Sequence, residues 1–497
     1  MKKIEILYTT DLHGSLFSHD YVQGKDIQSG LVRFSSLVKT MRSANPDLIL
    51  VDNGDINQGT PLVTYDQKLG DHRLMASALN QIGYTYSNLG NHDFNYGIDN
   101  LKVHLERLDS KLLTSNIEVE DNLVGRTQYH KTPLGTIAFI GVVTDYLVNW
   151  EHPETLEQLT IYSVLDTVKK EIQIAKSKAN YIVVVYHGGL ERDPISLEPT
   201  EVLNGENVGI QLVLENPEID VLLTGHQHRS LVQQLNNCLI LQAGSNGQSA
   251  GLIELDETGF KGSLIPLADV PIDESFANNF LEIEAEAQLW LDEVIGFSQE
   301  PLIIDDIVQA QKEFHPLAQF INQVLLEYTG ADIAFSSFFN TTVGFDREIT
   351  YRQLIANYPF PNTLFVKEVP GTVLLEYLEK NADYWSLDEN NQVIVSLDKI
   401  YPKIQYYDYD FVSGIEFDIN LRQPIGSRIV NHNINLTKNY RVVMNNYRAQ
   451  GGSNALMLKA CKTLYDDGRE VIDILYDYLI NNQPLKIRPT YLTKLIY

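Results

Sequence analysis

The chain has 497 residues and a formal charge of −27, because 38 lysines and arginines face 65 aspartates and glutamates. Such an excess of negative charge repels phosphate polyanions and anionic lipid, which disfavours a protein that coats nucleic acid or a membrane surface. The length allows two large domains, and a hydrophobic fraction of 44% is that of an ordinary folded protein. With only two cysteines, Cys238 and Cys461, a framework of several disulfide bridges is excluded.

The amino terminus combines two lysines with a short apolar stretch that Glu5 interrupts. A signal peptide needs a longer apolar core, so this segment is predicted to be a first strand. No apolar run approaches the length of roughly 18 residues that a membrane span requires. We therefore expect a cytoplasmic protein, or an exported one whose leader has been removed.

Short, β-branched apolar runs recur through the first half of the chain, as expected for buried strands. They cover residues 4–8, 48–51, 136–143, 181–186, 221–224 and 239–243. Segments with helical spacing lie between them, for example from Leu31 to Met41 and from Val164 to Ala175. This alternation predicts a layered α/β domain.

A charged, helix-rich stretch follows over residues 273–330, and its last helix is expected to end at Gly330. Beyond it, the chain has strand and helix patterns of its own. We therefore predict a first domain over residues 1–305, a linker with a hinge helix over residues 306–330, and a second α/β domain over residues 331–497. Such a hinge would let the second domain swing a bound ligand toward the first.

Metal-competent side chains lie directly after the predicted strands of the first domain. They are Asp11, His13, Asp55, Asn91, His92, His187, His226 and His228. Because ligands bind at the carboxyl ends of strands in open α/β sheets, these clusters indicate one shared site. Carboxylate, amide and imidazole groups without thiolates suit divalent manganese, zinc, iron or cobalt. The set is large enough for two ions, which could clamp a displacement at phosphorus and reverse the negative charge locally.

The motifs DLHG, NGD, GNHD, HGG and GHQH, in this order, resemble those of the calcineurin-like metallophosphoesterases. The runs VDNGDINQGTP, GNHDFNYG, YPFPNTL and NNYRAQGG further resemble the two-domain 5′-nucleotidase family, and within it the 2′,3′-cyclic-nucleotide 2′-phosphodiesterase/3′-nucleotidase branch. The resemblance extends over essentially the whole chain. It implies a four-layer α-β-β-α metallophosphoesterase domain, followed by an α/β carboxyl-terminal domain that binds the nucleoside.

The resemblance also implies roles for individual residues. A first ion would be held by Asp11, His13, Asp55 and His228, and a second by Asp55, Asn91, His187 and His226, with Asp55 bridging. His92 would contact the scissile phosphate. Asn95 stands where the 5′-nucleotidase branch has an aspartate that orients this histidine, and an amide can still hold one imidazole tautomer. The cyclic-phosphodiesterase branch tolerates asparagine at this position.

The second domain is expected, again by resemblance, to hold the base between Phe360 and Tyr447, with Asn362 at the base edge. Stacking contributes about 1–3 kcal/mol per base. The loop ADIAFSSFFNTTVGF carries no arginine, unlike the corresponding loop of the 5′-nucleotidase branch. Because arginine is the usual ligand of extended diphosphates, its absence favours small mononucleotides over nucleotide sugars. Arg448 is either a phosphate contact or a surface residue.

We therefore expect a metal-dependent phosphoric ester hydrolase that opens 2′,3′-cyclic nucleotides and removes phosphate from 3′-nucleotides. The alternative among enzymes is a 5′-nucleotidase or UDP-sugar hydrolase. An alternative of another class is a nucleotide-binding protein without turnover, which the intact set of metal ligands disfavours. The expected partner is a small nucleotide rather than polymeric nucleic acid or a membrane, and the expected state is a monomer.

Overall fold

The structure, a computed structural model, describes residues 3–22, 24–70, 73–151, 153–201, 203–360, 362–400 and 404–497. The chain divides into two compact units, Met1–Gln288 and Leu289–Tyr497. This division lies earlier than the expected boundary at residue 305, because strands Val294–Phe297 and Leu302–Ile303 pair with strands of the second unit. None of the helices in these ranges is long and apolar enough to cross a membrane.

The first unit is built on two six-stranded sheets. The first sheet has the order Gly259–Pro266, Ser249–Asp256, Ile4–Thr9, Ile49–Asp52, Tyr86–Ser87 and Lys111–Leu112, of which the last four are parallel. The second has the order Ser230–Leu235, Cys238–Ala243, Val221–Thr224, Tyr181–His187, Gly135–Val143 and Gln128–Thr132, with the four central strands parallel. All six apolar runs predicted as strands are therefore confirmed. A smaller sheet contains Asn122–Leu123, Ile117–Val119 and Leu159–Ile161.

The two large sheets pack against each other through a buried apolar layer. Ile6 and Val51 of the first sheet belong to the same cluster as Phe139 and Val183 of the second. Alternate residues point to the other face, where the second sheet packs against helix Val164–Ala175. Strands that are apolar on both faces are typical of parallel sheets covered on both sides.

Helices form the outer layers of the first unit, which completes the expected four-layer arrangement. They are Leu31–Ala44, Pro61–Leu69, Leu74–Ile82, Gly97–Arg107, Pro153–Leu156, Val164–Ala175, Gly209–Glu215, Glu274–Ala277 and Leu281–Leu291. Leu31–Ala44 connects the parallel strands Ile4–Thr9 and Ile49–Asp52, so it crosses over one face of the first sheet. Because these strands are parallel, the loops after them leave from one edge of the sheet.

The second unit contains a five-stranded sheet with three helices of at least eleven residues. The strand order is Asp410–Ser413, Ile333–Ser337, Asn439–Asn445, Thr363–Pro370 and Lys462–Glu470. Shorter strands are Val294–Phe297, Leu302–Ile303, Gly344–Phe345, Glu348–Thr350, Trp385–Leu387, Val393–Val395, Asp418–Asn420, Ile429–Val430 and Leu495–Ile496. The helices are Ile307–Lys312, Pro316–Thr329, Tyr351–Asn357, Gly371–Ala382, Asn446–Ala449, Leu456–Lys459 and Val471–Asn481.

Residues 306–330, expected to be a linker, lie within this second unit. Helix Pro316–Thr329 buries most of one side, and Asn322 Nδ2 donates to the backbone oxygen of Phe411 and to Ser413 Oγ, both at 3.1 Å. The helix ends at Gly330, as predicted, with the left-handed φ of 62° that favours glycine. It is thus part of the core of this unit, and its role as a hinge stays a prediction.

Candidate metal centre

The loops that leave the strand ends of the first unit bring most of the expected ligands together. Two groups of side chains could each hold a metal ion: Asp11, His13 and His228 in one, and Asp55, His187 and His226 in the other. Within each group the ligand atoms lie within 4.8 Å of one another. The groups adjoin, because His187 Nε2 is 3.1 Å from Asp55 Oδ2 and 3.9 Å from Asp11 Oδ1.

Backbone carbonyls orient two of the imidazoles toward this centre. Nδ1 of His187 lies 2.6 Å from the oxygen of Asn53, and Nδ1 of His13 lies 2.9 Å from the oxygen of Gln58. A carbonyl oxygen only accepts, so each Nδ1 carries a proton and each Nε2 faces the centre. Among the described residues, His187 Nε2 and Asp55 Oδ2 are buried and have no hydrogen-bond partner beyond each other, 3.1 Å apart. Two buried ligand atoms that face only each other suit a bound cation, which would displace any proton between them.

The electrostatics of the centre favour a positive charge at the same place. Burial opposes the charged form of His187, but the Asp55 and Asp11 carboxylates outweigh it and raise the pKa of His187 to about 10. Burial likewise opposes ionisation of Asp55, yet the nearby His187 and His92 hold its pKa well below the usual range. Because metal ligands must be deprotonated, a divalent ion would compete with the proton on His187. The ion would supply the positive charge that the Asp11 and Asp55 carboxylates favour at this place.

The candidate ligands also have an uncommon backbone conformation. Asp11, His13, Asp55, His226 and His228 have φ values between 47° and 66°. Residues other than glycine seldom adopt this left-handed region, and holding one there costs about 1–3 kcal/mol. Strain of this kind concentrates at functional sites, where the surrounding fold must hold it. Its presence at five candidate ligands therefore indicates a site selected for function rather than for stability.

His226 is oriented by side chains on both of its nitrogens. Nδ1 lies 2.8 Å from Asn91 Oδ1, and Nε2 lies 3.0 Å from Glu206 Oε1. A carboxylate accepts the Nε2 proton, so a neutral ring presents an Nδ1 lone pair to Asn91 Oδ1. These two acceptors lie 2.8 Å apart, and a cation bound by both would remove their repulsion. The ring of Trp150 stacks on His226 with a centroid distance of 5.3 Å. Sequence reasoning missed Glu206 and Trp150, because both lie in loops outside the motifs.

Asp93 holds the loop that carries Asp55. Its carboxylate accepts hydrogen bonds from the backbone nitrogens of Gly90, Asp55, Ile56 and Asn57 at 2.9–3.1 Å. A Cβ atom on Gly90 would lie 2.1 Å from Asp55 Oδ1, so only glycine allows this close approach. The role of Asp93 was left open by the sequence, and the GNHD motif is the signal that could have suggested it.

His92 borders the same centre. Its ring centroid is 5.5 Å from that of His13, and its backbone nitrogen donates to Asp55 Oδ1 at 2.7 Å. Nδ1 of His92 lies 2.7 Å from Asn95 Oδ1. The structure thus brings Asn95 to the histidine that the resemblance assigns to it.

The expected base-binding residues lie at one end of the sheet in the second unit. Strands Thr363–Pro370 and Asn439–Asn445 are antiparallel, with Leu364 opposite Asn445. The segments that carry Phe360 and Asn362 on one side and Tyr447 on the other therefore adjoin the same end of the sheet. Phe360 is 45% exposed and Tyr447 is 44% exposed, so neither side chain is buried.

These loops are held by specific contacts. The side chains of Asn362 and Asn445 lie beside the Tyr358 hydroxyl, where they oppose the rise in its pKa that burial causes. A Cβ atom on Gly452 would lie 2.5 Å from Cε1 of the Tyr447 ring, so glycine is needed for this packing. The phenol oxygen of Tyr447 accepts from the backbone nitrogen of Ser453 at 3.3 Å. Asn362 thus lies beside a tyrosine, while the two expected clamp residues, Phe360 and Tyr447, are partly exposed.

Arg448 is not a surface residue. It is 4% exposed, and its guanidinium lies 2.9 Å from each oxygen of Asp410, which is 3% exposed. The pair forms because a buried guanidinium needs a carboxylate partner to offset its lost hydration. The surface role considered for Arg448 from the sequence is therefore wrong, and the phosphate contact stays a prediction that the pairing with Asp410 disfavours.

Comparison with known proteins agrees with this architecture. Residues 4–230 match the calcineurin-like phosphoesterase family, and residues 294–460 match the 5′-nucleotidase C-terminal domain. A putative 5′-nucleotidase from Staphylococcus aureus, solved in complex with alpha-ketoglutarate, is 31% identical, with full coverage of both chains and a TM-score of 0.90.

Curated relatives have lower identity over a similar extent. The 2′,3′-cyclic-nucleotide 2′-phosphodiesterase/3′-nucleotidase of Yersinia enterocolitica is 25% identical, over 91% of this chain and 81% of its own. The 5′-nucleotidase of Diplobatis ommata is 23% identical, over 96% of this chain and 87% of its own. The chain therefore belongs to the two-domain 5′-nucleotidase family with a calcineurin-like metallophosphoesterase domain, and it is a metal-dependent phosphoric ester hydrolase.

Proposed function

We propose that the centre binds two divalent ions. The first ion would be held by Asp11, His13, Asp55 and His228, and the second by Asp55, Asn91, His187 and His226. The observation that supports this most directly is the close approach of His187 Nε2 and Asp55 Oδ2, which are buried, lie 3.1 Å apart and have no third hydrogen-bond partner among the described residues. Manganese, zinc, iron and cobalt all suit the donor set. When bound, such ions supply Lewis acidity and positive charge for hydrolysis at phosphorus.

His92 is the residue proposed to contact the scissile phosphate. Asn95 Oδ1 accepts from Nδ1, so Nε2 is the nitrogen that remains for a phosphate oxygen. With Nδ1 protonated, Nε2 can accept a proton, and it donates to oxygen only when the ring carries this second proton; such a donor would stabilise the negative charge that develops on the phosphate or on the leaving oxygen. His92→Ala should lower kcat on every substrate and leave the bound metal unchanged, whereas the exposed His432→Ala should leave both unchanged.

The proposed substrates are 2′,3′-cyclic nucleotides and 3′-nucleotides, acted on by a monomer. The name of the Yersinia relative and the asparagine at position 95 support this choice. The loop after Gly330 offers no guanidinium to a diphosphate, and the amide of Asn340 is engaged by the backbone of Ile404 and Tyr406. Only neutral groups such as Ser336 and Ser337 remain there, which suits a small mononucleotide.

A substrate panel tests this choice. Protein loaded with Mn²⁺ is assayed against 2′,3′-cyclic AMP, 3′-AMP, 5′-AMP and UDP-glucose, and we expect the highest kcat/KM for the first two. The names of the Staphylococcus and Diplobatis proteins favour a second candidate, a 5′-nucleotidase. A preference for 5′-AMP or UDP-glucose would overturn the proposed branch and support that candidate.

The base clamp has a separate test. Phe360→Ala and Tyr447→Ala should each raise KM roughly 5- to 150-fold, because stacking contributes about 1–3 kcal/mol per base. The matched control is Phe297→Ala, since Phe297 is also 45% exposed. Equal KM values for all three variants would contradict the assignment of the clamp.

A further inference from the structure

A third side chain stands behind His92 and Asn95. Asn95 Nδ2 donates to Glu151 Oε2 at 3.2 Å, while Asn95 Oδ1 lies 2.7 Å from His92 Nδ1. Glu151 is 7% exposed. The three side chains therefore form a continuous line from a buried carboxylate to the edge of the metal centre.

The position of Glu151 is fixed by packing. Its backbone nitrogen donates to the oxygen of Leu147 at 3.1 Å. Leu147 is in the same buried cluster as Phe94, which lies in the one-turn helix Asn91–Phe94 that also carries His92. The segments on which Glu151 and His92 lie thus share a core, which holds the two backbones at a fixed separation.

The Glu151 carboxylate favours one of the two orientations that the Asn95 amide could adopt. An amide presents either oxygen or nitrogen to a neighbour, and the two orientations select opposite tautomers of a facing imidazole. Asn95 Nδ2 faces Glu151 Oε2 and Asn95 Oδ1 faces His92 Nδ1. A carboxylate favours this orientation because, when ionised, it only accepts. The Nδ1 of His92 then carries the proton.

We propose that Glu151 is a positioning residue for phosphoester hydrolysis: through Asn95, it sets the tautomer and orientation of the His92 ring. The proposal deepens the proposed function, since it rests on the assignment of His92 to the phosphate contact. In this protein the orienting carboxylate is thus one hydrogen bond further from the histidine than a directly paired aspartate would be.

A double-mutant cycle tests whether Glu151 acts through Asn95. In Mn²⁺-loaded protein, Asn95→Ala and Glu151→Ala should each lower kcat about 10- to 100-fold, the usual effect of removing such a partner. The double variant should lose no more than the larger single loss, because the two residues act in series. Losses that multiply in the double variant would overturn the proposal.

Conservative variants separate positioning from packing. Glu151→Gln keeps the size of the side chain but can present either oxygen or nitrogen to Asn95, so its kcat should lie between those of wild type and Glu151→Met. Glu151→Met fills the space without an acceptor and should lose as much as Glu151→Ala. Glu151→Met also serves if the alanine variant fails to fold. The exposed Glu154→Ala is the charge control and should match wild type. Full activity of Glu151→Met would overturn the proposal.

The tautomer itself can be measured without turnover. In zinc-loaded protein with ¹⁵N-labelled histidine, the His92 ring signals, assigned with His92→Gln, should show a protonated Nδ1 in wild type and a smaller fraction of this tautomer in Glu151→Gln. They should show a mixture of tautomers in Glu151→Met. Identical His92 signals in all three proteins would overturn the proposal. If His92 plays no part in hydrolysis, His92→Ala should be fully active. That result would refute the proposed function, and it differs from the results that would overturn the role of Glu151.

Discussion

Replacement of Asp93 with asparagine should loosen the loop that carries Asp55. Oδ2 of Asp93 accepts from the backbone nitrogens of Gly90 and Asp55, both at 2.9 Å. Oδ1 accepts from the backbone nitrogens of Ile56 and Asn57 at 3.0 and 3.1 Å, and from Nδ2 of Asn57 at 3.3 Å. All five contacts are donors, so both oxygens act as acceptors in the folded protein.

Asparagine keeps only one of these oxygens. In either orientation, its NH₂ group faces two backbone N–H groups that lose their acceptor. A buried donor without a partner costs about 1–3 kcal/mol, so Asp93→Asn should destabilise the first unit by about 2–6 kcal/mol. The same change frees the backbone of Asp55 to leave its left-handed conformation, and it should therefore weaken metal binding as well.

Differential scanning calorimetry measures the first effect, and titration of the apoprotein with Mn²⁺ measures the second. Asp99→Asn is the matched control, since Asp99 is an exposed carboxylate on the next helix. If Asp93→Asn lowers the free energy of unfolding by less than about 1 kcal/mol, the five hydrogen bonds of Asp93 do not stabilise the first unit as expected.

Three further predictions follow from charge and burial. Removal of divalent ions with a chelator should abolish hydrolysis, and return of Mn²⁺ at 100 times its Kd should stabilise the protein by about 2.7 kcal/mol in calorimetry; full activity in chelator would contradict the metal centre. Burial, with a smaller effect of Asp473, raises the pKa of Glu470 from 4.5 to about 7. The folded state therefore binds more protons between these values, and stability is lost as the pH rises through them. Between pH 4 and 8, the stability of Glu470→Gln in urea unfolding should fall by up to about 3 kcal/mol less than that of the wild type. A fall as steep as in the wild type would refute this prediction. Arg448→Met should lower stability by about 3–5 kcal/mol, because it leaves Asp410 buried without its cation, and should not change KM; a changed KM with unchanged stability would restore a ligand role.

The sequence alone predicted the layered α/β fold and the place of the site. Both depend on local patterns, because apolar runs such as 181–186 mark buried strands and polar residues directly after them mark the edge where ligands bind. The ordered motifs then named the expected ligands, and the structure brings most of them together. The carboxyl-terminal clamp residues were likewise named by short motifs.

Tertiary structure alone decided which side chains support those residues. Glu151 lies 56 positions from Asn95, and Glu206 lies 20 positions from His226, in loops that follow no motif. From the sequence, Arg448 is a possible phosphate contact. Only the structure shows that it pairs with Asp410, which lies 38 positions away in the chain. Spacing within a strand or helix reports which face a residue shares with its neighbours. A hydrogen bond between two loops depends on how the whole sheet is folded, and no local pattern records it.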